Sequence, residues 1–165
     1  MSEKLIFPPD YVDVQEVPVV FLAGPIQGAP EWQAEATQIL QKLAPEIYIA
    51  SPRKKYLDGQ FVYAEQVDWE THYLNIAAKN GVVMFWLAKE ETHYPERAYA
   101  QTSRFELGEW KVKHERDGVK LVVGIEKGFS NERYIRRRLA QDCPQVVMPD
   151  TLIATCEQVY KLLKS

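Results

Sequence analysis

Cysteine is scarce in this 165-residue chain, which contains only Cys143 and Cys156. Two cysteines are too few for a disulfide framework, and they suit a reducing compartment. The three histidines show no H-x-x-x-H spacing and the cysteines no C-x-x-C spacing. We therefore expect no metal site and no cofactor, and a fold that its hydrophobic core stabilises.

Long apolar runs and excess positive charge are also missing. The run at 81–87 is far shorter than the roughly 18 residues of a membrane span, and residues 1–4 lack the apolar stretch of a signal peptide. The 20 Lys and Arg against 23 Asp and Glu give a formal net charge of -3. That balance excludes a broadly basic surface for polymeric nucleic acid. We expect a soluble, cytoplasmic protein without membrane or nucleic-acid partners.

The composition, 46% hydrophobic and 12% aromatic, is typical of a globular protein. No internal repeat or Gly/Ser linker divides the chain, so we expect one domain over residues 1–165. Residues 1–17 predict an extended leader, because Pro8 and Pro9 disfavour a helix there.

Strand and helix patterns alternate along the rest of the chain. Apolar runs predict strands at 19–23, 47–50, 82–87, 119–124 and 146–148. Helical spacing predicts helices at 32–43, 65–79, 103–116, 131–140 and 151–163, with loops at 52–64 and 88–102. This order predicts an α/β sandwich with a mainly parallel sheet of five strands. Ligands of such sheets bind at the carboxyl ends of the strands, here the loops 24–30 and 88–103.

The loop Gly24–Gly28 follows the first of these strands, where backbone N–H groups and a helix start meet a phosphate or a sugar. It matches neither a Walker loop nor the G-x-G-x-x-G fingerprint. A tight turn that requires glycine explains the same residues equally well.

Glu70 lies on the apolar stripe that Val67 and Leu74 define in the second predicted helix. A carboxyl directed into the protein has a raised pKa, which general acid/base catalysis requires. Alternatively, Glu70 pairs with a buried arginine or a backbone amide. Asp68, about 100° away around the helix, is a competing candidate.

Glu106 lies near the start of the next predicted helix, which directly follows the loop after the strongest strand. Ser103 and Glu106 have the spacing of a capping box, in which both side chains bond backbone amides. The position at the carboxyl end of a central strand instead favours a ligand-binding carboxylate. Gly108 within this helix indicates a close approach of backbone or ligand.

Trp69, Tyr73 and Ile76 form a second, aromatic face on the Glu70 helix. Such a face suits either a partner subunit or a loop of the same chain.

Four segments in this order resemble the nucleoside 2-deoxyribosyltransferase-like family, over roughly residues 19–125. They are the stretch 21–26, the pair Trp69-Glu70 followed by Leu74 and Ala77, the strand 82–86, and the stretch 104–110. The most specific is Arg-Phe-Glu-Leu-Gly-Glu-Trp at 104–110.

The resemblance implies a flavodoxin-like three-layer sandwich that cleaves or exchanges the N-glycosidic bond of nucleosides or nucleotides. Glu106 corresponds to the family's nucleophile and Glu70 to its acid/base carboxylate, where many relatives have Asp. The implied substrate-binding residues are Gly24, Pro25, Ile26 and Gly28 on the sugar side, Asp68, Ser103, Arg104 and Trp86, with Phe85 or Trp32 as alternatives for base stacking. Arg104 or Arg53 would contact a phosphate.

We therefore expect an enzyme that acts on a small nucleoside or nucleotide through a covalent glycosyl-Glu intermediate and forms a homo-oligomer. The alternative is a protein of the same fold that binds a nucleotide derivative without turning it over.

Overall fold

The computed structural model describes residues 4–54 and 59–165. It contains a sheet of strands β1 (Leu5–Ile6), β2 (Val19–Ala23), β3 (Tyr48–Ala50), β4 (Gly81–Leu87) and β5 (Leu121–Ile125). The helices are α1 (Trp32–Leu43), α2 (Tyr63–Lys79), α3 (Gln101–Asp117), α4 (Glu132–Asp142) and α5 (Leu152–Lys164). No helix in these residues is long and apolar enough to cross a membrane.

The central strands are continuous apolar runs because helices cover both faces of the sheet. In β2, Val19 and Phe21 point into one core, with α2, α3 and α4, whereas Val20 and Leu22 point into the other, with α1 and α5. The five strands are all parallel. The structure thus confirms the predicted flavodoxin-like three-layer sandwich.

The strand order is β1-β3-β2-β4-β5. The chain leaves β2 toward one edge of the sheet and leaves β4 toward the other edge. This reversal opens a crevice at the carboxyl ends of β2 and β4, which is where ligands bind in open α/β sheets.

The predicted strand at 146–148 is wrong. The sheet nevertheless has five strands, because β1 forms within the predicted leader. The segment after α4 does lie beside β5, since Val123 N donates to Val147 O (3.3 Å) and Ile125 N to Pro149 O (2.8 Å). Pro149 has no N–H to continue a ladder. The predicted loop at 52–64 includes residues 55–58, which lie outside the described residues, and α2 already begins at Tyr63.

The aromatic face of α2 packs inside the chain, so the partner-subunit interpretation of it is wrong. Trp69 and Tyr73 are fully buried. The indole Nε1 of Trp69 donates to Asp10 O (2.8 Å), and the Tyr73 hydroxyl accepts from Val12 N (2.8 Å). Val67, by contrast, is 41% exposed, so the apolar stripe predicted through it is displaced. Residues 10–14 therefore cover α2.

Replacing Tyr73 by Phe should loosen this cover. The substitution removes the acceptor of the Val12 N–H and should lower the free energy of unfolding by about 1 kcal/mol. Urea denaturation measures the loss, and hydrogen exchange at the Val12 amide should accelerate. An unchanged exchange rate at Val12 would contradict the role given to this bond.

Candidate active site

A cavity of about 340 Å³ opens at the carboxyl ends of β2 and β4. Its wall consists of the segment after β2, one face of α2, the end of the 88–100 loop and the first turns of α3. The lining residues include Gly24, Pro25, Ile26, Gln27, Phe61, Glu70, Arg97, Gln101, Thr102, Ser103 and Glu106. The volume lies within the range of small-molecule sites.

α3 begins earlier than predicted, and Glu106 lines the cavity from within this helix. The N-cap is Ala100 in the left-handed conformation (φ 59°, ψ 30°), and no side chain caps the helix. The first turn is closed by Arg104 N, which donates to Ala100 O (2.9 Å). Glu106 therefore lies in the second turn, and the capping box with Ser103 does not form. Its side chain lines the cavity instead.

Glu70 lines the same cavity from α2. Its Oε2 accepts a hydrogen bond of 2.8 Å from Nε2 of Gln66, one turn earlier on the helix. Burial raises the pKa of the Glu70 carboxyl, and the Gln66 hydrogen bond opposes this effect. The alternative prediction, that Glu70 pairs with a buried arginine or a backbone amide, is therefore wrong.

Glu70 and Glu106 are electrostatically coupled. Burial, the Glu70 charge and the Glu109 charge together raise the pKa of Glu106 to about 8. Two carboxylates that line one cavity repel each other, so the pair favours states that hold one proton near neutral pH. Such a pair offers one carboxylate to attack and one carboxylic acid to donate a proton.

The segment after β2 approaches the sheet closely at Gly24. A Cβ there, at φ 153°, would lie 2.3 Å from Trp86 O. Gly28 lies outside the cavity, but its carbonyl accepts from the N–H groups of Glu91 (2.8 Å) and Thr92 (3.0 Å). These bonds fasten the 88–100 loop beside the cavity.

Arg97, on that loop, is the one arginine or lysine among the described residues that lines the cavity, and it donates to the side chain of Gln27. The two arginines that the sequence suggested for a phosphate are engaged elsewhere. Arg53 donates to Pro30 O (2.6 Å), and Arg104 stacks 4.5 Å from the centre of the Phe129 ring.

The remaining predicted residues divide between the cavity and other places. Gly24, Pro25, Ile26 and Ser103 line the cavity with the two glutamates. Asp68 is exposed outside it, and Trp86 and Trp32 lie on the opposite face of the sheet. Phe85 is fully buried. Sequence reasoning missed Gln27, Phe61 and Arg97; only Gln27, inside the glycine-bounded loop, carried a local signal. In residues 4–54 and 59–165 no cluster of three or more His, Cys, Asp or Glu could hold a metal ion.

The raised pKa of Glu106 predicts a pH-dependent effect of Glu106→Gln on stability. A carboxyl with a raised folded-state pKa stabilises the fold fully below its ordinary pKa, and this contribution is lost as pH rises through about 8. The neutral amide avoids that loss. The variant should gain more melting temperature over the wild type at pH 9 than at pH 5.

Thermal melts at both pH values measure this gain, with Glu65→Gln, an exposed carboxylate of α2, as the control. If the melting temperatures of Glu106→Gln and the wild type differ equally at pH 5 and pH 9, the pKa of Glu106 is not raised by folding.

The chain matches a known protein family. The family model described as nucleoside 2-deoxyribosyltransferase like matches residues 17–129, more than half of the chain. The matched range contains every residue that lines the cavity. No curated protein matches the chain.

Proposed function

Because the chain belongs to the nucleoside 2-deoxyribosyltransferase-like family, we propose that it cleaves or transfers the N-glycosidic bond of a nucleoside or nucleotide. The observation that carries the proposal is the pair Glu70 and Glu106, which lines one cavity at the reversal of strand order. Retaining glycoside chemistry requires two such carboxyl groups, one on each side of the scissile bond.

The reactive state of the pair is the one in which its single proton lies on Glu70. In the first step, the ionised Glu106 of that state attacks the anomeric carbon and forms an ester with the sugar. The C–N bond breaks, its electron pair leaves with the base, and the Glu70 proton passes to a nitrogen of that base. In the second step, water or another base attacks the anomeric carbon and gives a proton to the Glu70 carboxylate. The ester bond breaks, and its electron pair returns to Glu106.

The cavity wall supplies groups for both parts of a substrate. The backbone at 24–26 and the Ser103 hydroxyl provide polar contacts for the sugar, and the ring of Phe61 provides an apolar surface for the base. Arg97 adds a positive charge, so a phosphorylated sugar is compatible with the cavity despite its two carboxyls.

The test is a panel of nucleosides, deoxynucleosides and their 5′-monophosphates, with and without an acceptor base. We expect free base to be released from at least one of them. Glu106→Gln should lower this rate by about 10³-fold or more, because an amide cannot form the ester. Glu65→Gln, at an exposed position of α2, is the control and should retain activity.

Thermal stabilisation by a nucleotide without release of base would instead favour the non-catalytic binding protein. No release and no stabilisation with any member of the panel would overturn the proposal.

The shared proton predicts a bell-shaped pH profile for kcat/KM. Activity requires one proton on the pair, so it should rise as the doubly protonated state disappears. It should fall as pH rises through about 8, because burial and the Glu70 charge raise the pKa of Glu106 to about 8 and the pair loses its last proton there. Initial rates from pH 4 to 10 measure both limbs. A rate that stays constant up to pH 10 would contradict the one-proton state.

A further inference from the structure

We propose that Gln66 is a positioning residue that makes Oε1 of Glu70 the only oxygen that exchanges a proton with the substrate. The inference rests on the proposed function for its catalytic consequence, but its structural basis is independent of turnover. That basis is a pair of hydrogen bonds from one side-chain amide.

Gln66 bridges two elements of the cavity wall through a single nitrogen. Its Nε2 donates to Pro52 O (3.1 Å), just after β3, and to Oε2 of Glu70 (2.8 Å). A backbone carbonyl only accepts hydrogen bonds, so the contact with Pro52 fixes which end of the amide is the NH2 group. Glu70 therefore meets a donor, and rotating the amide by 180° would set two acceptors against each other at Pro52.

This donor determines where Glu70 can carry its proton. Oε2 accepts the Gln66 hydrogen bond, and the carbonyl oxygen of a carboxylic acid is a better acceptor than its hydroxyl oxygen, so this bond favours the form in which Oε2 is the carbonyl oxygen. The proton is therefore placed on Oε1. Among the residues that the structure describes, Oε1 has no hydrogen-bond partner, and the Glu70 side chain lines the cavity. Oε1 is thus the oxygen available to a leaving base and, in the second step, to the attacking acceptor.

The same bond limits how strongly burial raises the pKa of Glu70. The other charged groups that line the cavity are Glu106 on α3, whose charge favours protonation of Glu70, and Arg97 on the preceding loop, whose charge opposes it. Gln66 differs from both, since it acts on one chosen oxygen. Gln66 therefore determines which oxygen of Glu70 carries the proton, and it also lowers the pKa of that carboxyl.

The first test measures the carboxyl pKa of Glu70 directly by carbon-13 NMR, in a Glu106→Gln background that removes the coupled group. Adding Gln66→Met, which keeps the side-chain length but removes the donor, should raise the Glu70 pKa. Gln141→Met, at an exposed position of α4, is the matched control and should leave it unchanged. An unchanged or lowered Glu70 pKa in the Gln66→Met protein would overturn the inference.

Gln66→Lys provides a second variant in case the methionine disturbs the contact with Pro52. It retains N–H donors at this place and should lower the Glu70 pKa relative to the Gln66→Met protein. Equal pKa values in the two variants would also overturn the inference. These readouts require no substrate, so they remain decisive even if the proposed function fails.

The second test uses the leaving group. With an ordinary purine or pyrimidine nucleoside, Gln66→Met should lower kcat/KM by about 10- to 100-fold. The reason is that the Glu70 proton is no longer held on the oxygen that faces the leaving base. With a 7-methylguanine nucleoside, whose cationic base leaves without protonation, kcat/KM should change less than about twofold. An equal loss with both substrates, or no loss with either, would contradict a positioning role. An inactive wild-type protein would instead overturn the proposed function.

Discussion

Repulsion between two half-buried carboxyl groups is the constraint on which the candidate site depends. Glu70 and Glu106 line one cavity, and each makes ionisation of the other less favourable. A single proton on the pair relieves this repulsion, and the proposed cleavage of a glycosidic bond uses the same state, with one carboxyl as acid and the other as nucleophile. The pH dependence of stability and of activity should therefore have the same origin.

The fold carries the two carboxyl groups on different helices, each held in place by different contacts. Glu70 is carried by α2, which the leader residues 10–14 hold against the sheet through Trp69 and Tyr73. Glu106 is carried by α3, whose start at Ala100 is fixed beyond the carboxyl end of β4. The two helices converge where the strand order reverses, so the sheet topology, rather than a local motif, brings the carboxyls together.

Local sequence patterns predicted the central strands and singled out both glutamates, since a carboxyl on an apolar stripe or after a central strand is unusual. They failed where distant segments decide the structure. The cover over Trp69 and the pairing of β1 with β3 are long-range contacts that no periodicity encodes. The left-handed N-cap at Ala100 shifted α3 by two residues and removed the apparent capping box. Arg97 is placed by bonds between two loops, which leave no sequence pattern.

Trapping of the ester intermediate tests the central claim most directly. A 2-fluoro nucleoside retains a leaving base, and its fluorine slows breakdown of the ester, so the sugar should remain attached to the enzyme. After incubation and proteolysis, mass spectrometry should find the fluoroglycosyl mass on the peptide that contains Glu106, and Glu106→Gln should abolish it. Release of base from this substrate with no label on the protein, or a label on any other residue, would contradict the account.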